Sequence, residues 1–129
     1  HVVSDSAFKL NVTLKNSFGQ GAFVCKKTQI MLMGPMGVIF IPLSIKGCVG
    51  EIDLMAGSFY DGNTTDLSSF GVDFSDWVTV QCHVQNRKIS IWVNEKLAFE
   101  GDYKTSIGPI VGTRVDFMGL GEVKEFTLK

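Results

Sequence analysis

Charge is scarce in this 129-residue chain. Asp, Glu, Lys and Arg make up 19% of it, against about a quarter in an average globular domain. The charges nearly cancel, leaving a formal −1 at neutral pH, so no bulk basic field exists to attract nucleic acid or an anionic membrane. Long apolar runs are lacking as well. The nearest to one, Gly37 to Ile45, is short and interrupted by Pro42, well under the ~20 residues that a spanning helix needs. Membrane insertion by this chain itself is therefore not expected. No segment of useful length has helical periodicity, which argues against a helical bundle. Histidine occurs only at His1 and His83, and neither has a Ser or Cys partner at a recognisable spacing, so nucleophilic catalysis has no support. Cys25, Cys48 and Cys82 fit no zinc template, and neither a metal nor another cofactor is expected. The chain begins at His1 without a signal-peptide pattern, and the expectation is a processed or excised piece of a longer protein.

What is present is strand chemistry. Glycine is frequent, at 14 residues, and apolar residues alternate with polar ones. The strongest signal lies between Trp77 and Val93. Val78, Val80, Cys82 and Val84 lead to a polar tip, Gln85 to Lys88, and Ile89, Ile91 and Val93 return; a period of two around a short polar tip is a hairpin. Ala7 to Leu14 alternates as an opening strand with Phe8, Leu10, Val12 and Leu14 on one face. Short strands are expected at residues 22–25, 29–33, 38–45 and 48–55, with Pro42 placing the third at an edge or a bulge. Asn16 to Gly21 carries turn chemistry. From Ala56 to Asp76 the strand signal lapses, and Phe59, Tyr60, Leu67, Phe70 and Phe74 imply a packed loop. Strands follow at 97–99, 110–118 and 122–128. One all-β domain over residues 1–129 accounts for all of this, long enough to form a core without metal or disulfide staples. The cysteines are either small buried hydrophobes or, for Cys25 and Cys48, a bridge across neighbouring strands.

A Trp opening W-V-T-V (Trp77 to Val80), a polar turn, I-S-I-W-V-N (Ile89 to Asn94), the short L-A-F-E and a closing F-M-G-L-G-E-V-K-E-F-T-L (Phe117 to Leu128) resemble the concanavalin A-like lectin/glucanase superfamily, which includes laminin-G-like domains. Glu95 stands where that pattern has Gly. The resemblance covers the C-terminal half by motif and the N-terminal half only by pattern. It implies an all-β jelly-roll sandwich of two antiparallel sheets, and extracytoplasmic domains of Bacteroidetes-type surface proteins are similar in texture.

The segment Glu51-Ile52-Asp53-Leu54-Met55-Ala56 resembles the E-x-D-x-x-E strand of laminarinase-type glycoside hydrolases. There the first Glu is the nucleophile, the Asp assists and the last Glu is the acid/base. Glu51 and Asp53 match, two apart and so on one face of a strand. Ala56 replaces the acid/base, and a methyl group can neither protonate a leaving oxygen nor activate water. An inactive relative of such an enzyme is one reading. Carbohydrate binding without catalysis is another, because sugar sites pair an aromatic platform with convergent polar groups. Trp92 is out of phase with Ile89, Ile91 and Val93, which puts it either on the outer surface, like His83 on the neighbouring strand, or packed under the loop from Phe59 to Phe74. Tyr60 and Tyr103 are further aromatic candidates, and Trp77 reads as a core anchor. Asp61, Asn63 and Asp66 offer loop oxygens to a calcium ion but fit plain Asx turns better. The expectation is a non-catalytic recognition or accessory module, periplasmic or on the cell surface, with a glycan or protein partner. Its candidate ligand-binding residues are Trp92, His83, Glu51, Asp53 and Tyr60. A purely structural or protein-interaction domain would show a flat apolar patch or a paired edge strand instead.

Overall fold

The computed structural model describes residues 2–17 and 25–129. The described residues form ten strands: β1 (Phe8–Ser17), β2 (Lys27–Gly34), β3 (Gly37–Ser44), β4 (Asp53–Met55), β5 (Phe59–Asp61), β6 (Val78–Gln85), β7 (Lys88–Val93), β8 (Lys96–Asp102), β9 (Gly112–Phe117) and β10 (Leu120–Leu128). They form two five-stranded antiparallel sheets, ordered β10-β1-β6-β7-β8 and β5-β4-β3-β2-β9. This is the two-sheet sandwich expected from the strand spacing.

Alternation explains which residues lie between the sheets. Leu10, Val12, Val80, Cys82, Ile89 and Ile91 face inward from the first sheet. Ile30, Leu32, Ile39, Ile41, Leu43 and Leu54 meet them from the second, and all twelve are essentially inaccessible. Each such aliphatic side chain contributes about 1.5–3 kcal/mol through burial. Two buried polar groups tie the ends together. The Asn16 Nδ2 donates to Thr28 Oγ1 at 2.9 Å, linking β1 to β2 across the sandwich. Asp5 accepts hydrogen bonds from the Tyr103 hydroxyl at 2.9 Å, the Ser106 hydroxyl at 2.8 Å and the Ile107 amide at 2.8 Å.

The central hairpin forms as its alternation requires, with Val80↔Val93, Cys82↔Ile91 and Val84↔Ile89 in register. Its turn places Asn86 and Arg87 at φ 51° and 60°, and the next turn places Asn94 and Glu95 at φ 50° and 67°. Two consecutive positive-φ residues define the type I′ turn that matches strand twist. Glu95 thus occupies a left-handed position that favours glycine.

Several expectations are corrected. The strand foreseen at 48–55 is divided: Lys46–Glu51 forms a 3₁₀ turn and only Asp53–Met55 is strand. Cys48 is bonded to Cys25, with their Cα atoms 5.5 Å apart, and Gly47 and Gly50 flank it, so tertiary bonding and flexible backbone override the apolar run. The loop foreseen at 56–76 contains β5 and a 3₁₀ turn at Ser68–Phe70. Strand β1 runs to Ser17, because Asn16 and Ser17 pair with Gly121 and Leu120. The strand foreseen at 22–25 lies, apart from Cys25, outside the described residues. Pro42 sits in an interior strand, but β3 meets β4 only at Phe40↔Met55. Pro42 is therefore on a locally open stretch that needs no donor there.

Candidate functional site

The two sheets turn very different outer faces to solvent. On β6 the outward positions are Thr79, Gln81 and His83, set against Asn11 and Lys9 of β1 and against Trp92 and Ser90 of β7. One transverse row reads Lys9, His83, Ser90, Glu100, and the next reads Thr127, Asn11, Gln81, Trp92, Leu97. This face is made of amides, hydroxyls and a few charges around one indole.

His83 and Trp92 meet edge to face, with ring centroids 4.9 Å apart and planes at 61°. They lie on adjacent strands, diagonal to one another, where long side chains reach across. Together with Gln85, Asn86, Lys88, Ser90 and Glu100 they line an open depression of about 420 Å³, inside the size range of small-ligand sites. Burial and then the nearby Lys9 ammonium push the His83 pKa below its ordinary value. Near neutral pH the imidazole is therefore uncharged and keeps both a donor and an acceptor nitrogen. Asn11, opposite Gln81 on the same face, has a buried Oδ1 that accepts no hydrogen bond among the described residues. The arrangement offers an aromatic ring with hydroxyl-matching groups on several sides.

The other candidates are not brought to this depression. Glu51 ends the 3₁₀ turn and Asp53 opens β4, so they do not share a strand face as the E-x-D spacing suggested; both are exposed. They border a small recess of about 150 Å³ with Lys27, Gln29 and Pro42. The carboxylate opposite Asp53 in register is Asp61 of β5, whose Oδ1 accepts the Asn63 amide at 2.7 Å. Ala56 is fully buried, so the position of the acid/base in the hydrolase pattern points into the core. Tyr60 is half-buried and packs edge-on against Phe99, centroids 4.8 Å apart. Tyr103 is buried on Asp5. Asp61 and Asp66 form Asx turns, with the Asp66 Oδ1 accepting the Ser68 amide at 3.0 Å. Cys82 is free, buried and raised in pKa by burial, which makes it an inert core residue.

Trp77 is the largest departure. Read as a core anchor, it is 36% exposed. Its phase explains why: Val78 faces inward, so Trp77 joins Thr79 and Gln81 on the outer face. The Lys15 and Lys124 ammonium groups lie 5.0 and 5.5 Å from the centre of its ring. The alternation that placed Trp92 outside also places Trp77 outside, and a strict count would have found it.

The outer face of the second sheet is apolar. Met31, Phe40, Met55 and Phe59 stand side by side across β2, β3, β4 and β5 in one transverse row, with Arg114 of β9 at its end. Phe59 is 57% exposed.

No protein-family profile and no curated protein matches the chain. Solved structures do match. Over its whole length the chain superposes on 95% of sheep galectin-11, solved in complex with glycerol, at 12% identity and a TM-score of 0.57. It superposes at 11% identity and a TM-score of 0.59 on the alginate lyase AlgAT5 of polysaccharide lyase family 7, spanning 62% of that chain. With 98% of its own length it covers 65% of the alginate lyase AlyC3, at 7% identity and a TM-score of 0.55. Two facing five-stranded antiparallel sheets, matched end to end by these proteins, give the chain a concanavalin A-like jelly-roll sandwich fold.

Proposed function

We propose that this chain is a non-catalytic recognition module that binds a glycan on the outer face of β1, β6 and β7. The observation that carries this reading is Trp92, held edge-on by His83 at 4.9 Å in a depression bordered by Gln85, Ser90 and Glu100. A pyranose ring stacks its C–H face on an indole while its hydroxyls bond amides, hydroxyls and carboxylates, and a pre-formed concave site favours such a ligand. The structural neighbours lend support of a weaker kind: one was solved with the polyol glycerol, and two are lyases of a polysaccharide. Fold likeness alone does not transfer function. The non-catalytic part of the reading is supported by Ala56, which stands at the acid/base position of the hydrolase pattern and is fully buried. An extracytoplasmic location is supported by the Cys25–Cys48 disulfide, since such bonds persist in oxidising compartments.

A glycan array probed with the wild-type chain and with Trp92→Ala tests the proposal. Retention of a glycan class by the wild type and its loss in the variant is the expected result. An unchanged array profile for Trp92→Ala overturns the site. A second reading, docking of a protein partner, rests on the apolar row Met31, Phe40, Met55 and Phe59. The row is half-buried at Met31, Phe40 and Met55 and exposed at Phe59, an apolar surface of the kind that protein partners cover, and Phe40→Lys together with Phe59→Lys would abolish that interaction while leaving the array unchanged.

A further inference from the structure

The indole of Trp77 lies on the same sheet face as Trp92. Along the outside of β6 the residues read Trp77, Thr79, Gln81, His83, and Trp92 stands opposite Gln81 on β7. Four residues of strand rise and one interstrand spacing put the backbone positions of Trp77 and Trp92 about 14 Å apart. A ligand that touches both indoles must therefore be a chain of linked sugar rings rather than a single one.

Trp77 also has its own groove. An open cleft of about 640 Å³ at the end of the sandwich is lined by Trp77 with Lys46, Ser68, Asp73, Asp76, Asn94 and Lys96. Several of these polar groups are held in place by backbone bonds. Asp73 accepts the Ser75 amide at 2.9 Å, Asp76 accepts the Trp77 amide at 2.8 Å, and Asn94 accepts the Thr79 amide at 3.0 Å. Above the ring the Lys15 and Lys124 ammonium groups converge. Glu122 is 3.8 Å from Lys15, a loose pair between an exposed and a partly exposed side chain that an incoming anion can displace.

Resting on the assignment of Trp92 as a sugar platform, we propose that Trp77 is a second platform of one continuous track. The ligand is then a linear oligosaccharide lying along β6, with a carboxylate or sulfate group where it crosses Trp77. Thr79 and Gln81 face its middle rings. Lys15 and Lys124 give the Trp77 end its preference for acidic sugars, and salt weakens that preference because Lys124 is exposed and Lys15 partly so.

Titration calorimetry with oligogalacturonates of one to six rings, beside neutral cello-oligosaccharides of the same lengths, tests the track. Affinity for the acidic series is expected to climb about tenfold or more between one ring and four, as a second aromatic anchor engages. Trp77→Ala abolishes the climb and leaves the single-ring affinity intact, whereas Trp92→Ala removes binding at every length. Lys15→Gln with Lys124→Gln reduces the acidic series to the level of the neutral one and is the control should Trp77→Ala fail to fold. Affinity independent of length, or an unchanged climb in Trp77→Ala, overturns the track and leaves the Trp92 site standing. Failure of the acidic series to bind a chain whose array signal depends on Trp92 overturns the track alone, and an array signal that does not depend on Trp92 overturns both.

Discussion

The two outer faces of this sandwich share one core and have opposite chemistry. The face of β1, β6 and β7 carries Asn11, Thr79, Gln81, His83 and Ser90 around two indoles, whereas the face of β2, β3 and β4 carries Met31, Met33, Val38, Phe40 and Met55. A sheet with one wet face alternates cleanly in sequence; a sheet apolar on both faces loses its alternation. That difference is visible in the chain itself. V-T-V-Q-C-H-V-Q alternates, and G-V-I-F-I-P-L-S does not. The run from Val38 to Leu43 signals burial on both sides, yet on its outer side only Pro42 is buried, while Val38 and Phe40 are half-buried. The lesson is that loss of alternation reports apolarity on both faces and says nothing about what covers them.

The largest expected effect concerns what the faces share. Ile91 is fully buried between the sheets, directly beside Trp92 in sequence. Ile91→Ala should cost about 2–5 kcal/mol of unfolding free energy in chemical denaturation, and both faces should be lost together in one transition. Separate transitions would show that the two sheets are independently stable and would undo the comparison.

The next effect separates the faces. Trp92→Ala should weaken glycan binding by about 2 kcal/mol or more, the loss typical of a central aromatic anchor, without lowering the melting temperature by more than a few degrees. Phe40→Lys, on the opposite face, should leave glycan binding unchanged. If Phe40→Lys abolishes binding and Trp92→Ala does not, the roles of the two faces are reversed.

A third effect lies at the junction of the sheets. Burial works to raise the Asp5 carboxyl, but hydrogen bonds from Ser106, Ile107 and Tyr103, with the charge of Arg87, together hold it below its ordinary value. A group depressed in the folded state contributes stability that is present above its unfolded pKa, about 3.9 for Asp, and lost as the pH falls through the folded value. Asp5→Asn should therefore destabilise the protein by about 1–3 kcal/mol near neutrality. The difference from wild type should shrink below about pH 4, as seen in denaturation midpoints across the acid range. A constant difference at every pH would exclude linkage through Asp5. Tyr103, buried and hydrogen-bonded to that carboxylate, is raised in pKa and should not ionise in the folded protein below the alkaline limit of stability.

The smallest effect tests the turn beneath the polar face. Glu95 holds φ at 67°, where an L side chain is strained. Glu95→Gly restores the Asn-Gly sequence preferred in type I′ turns and should stabilise the chain by about 0.5–1 kcal/mol, detectable as a shift in the denaturation midpoint. No gain would mean that the Glu95 side chain makes a compensating contribution.

Alternation alone determined the sandwich, the hairpin, the inward set from Phe8 to Leu14, and the outward placement of Trp92 and His83. Strand period is a local property, dictated by how successive Cβ atoms point. The same local rule applied strictly places Trp77 outside, where hydrophobicity by itself would bury it. Tertiary structure decided the rest. The Cys25–Cys48 bond and its flanking glycines turned the 46–51 segment away from strand, so that Glu51 ends a 3₁₀ turn. Cross-sheet contacts buried Tyr103 on Asp5 and turned Tyr60 toward Phe99. Register aligned Trp77 and Trp92 on one face with their backbone positions about 14 Å apart, a relation that no spacing along the chain encodes, because it depends on which residue of β7 stands opposite which residue of β6.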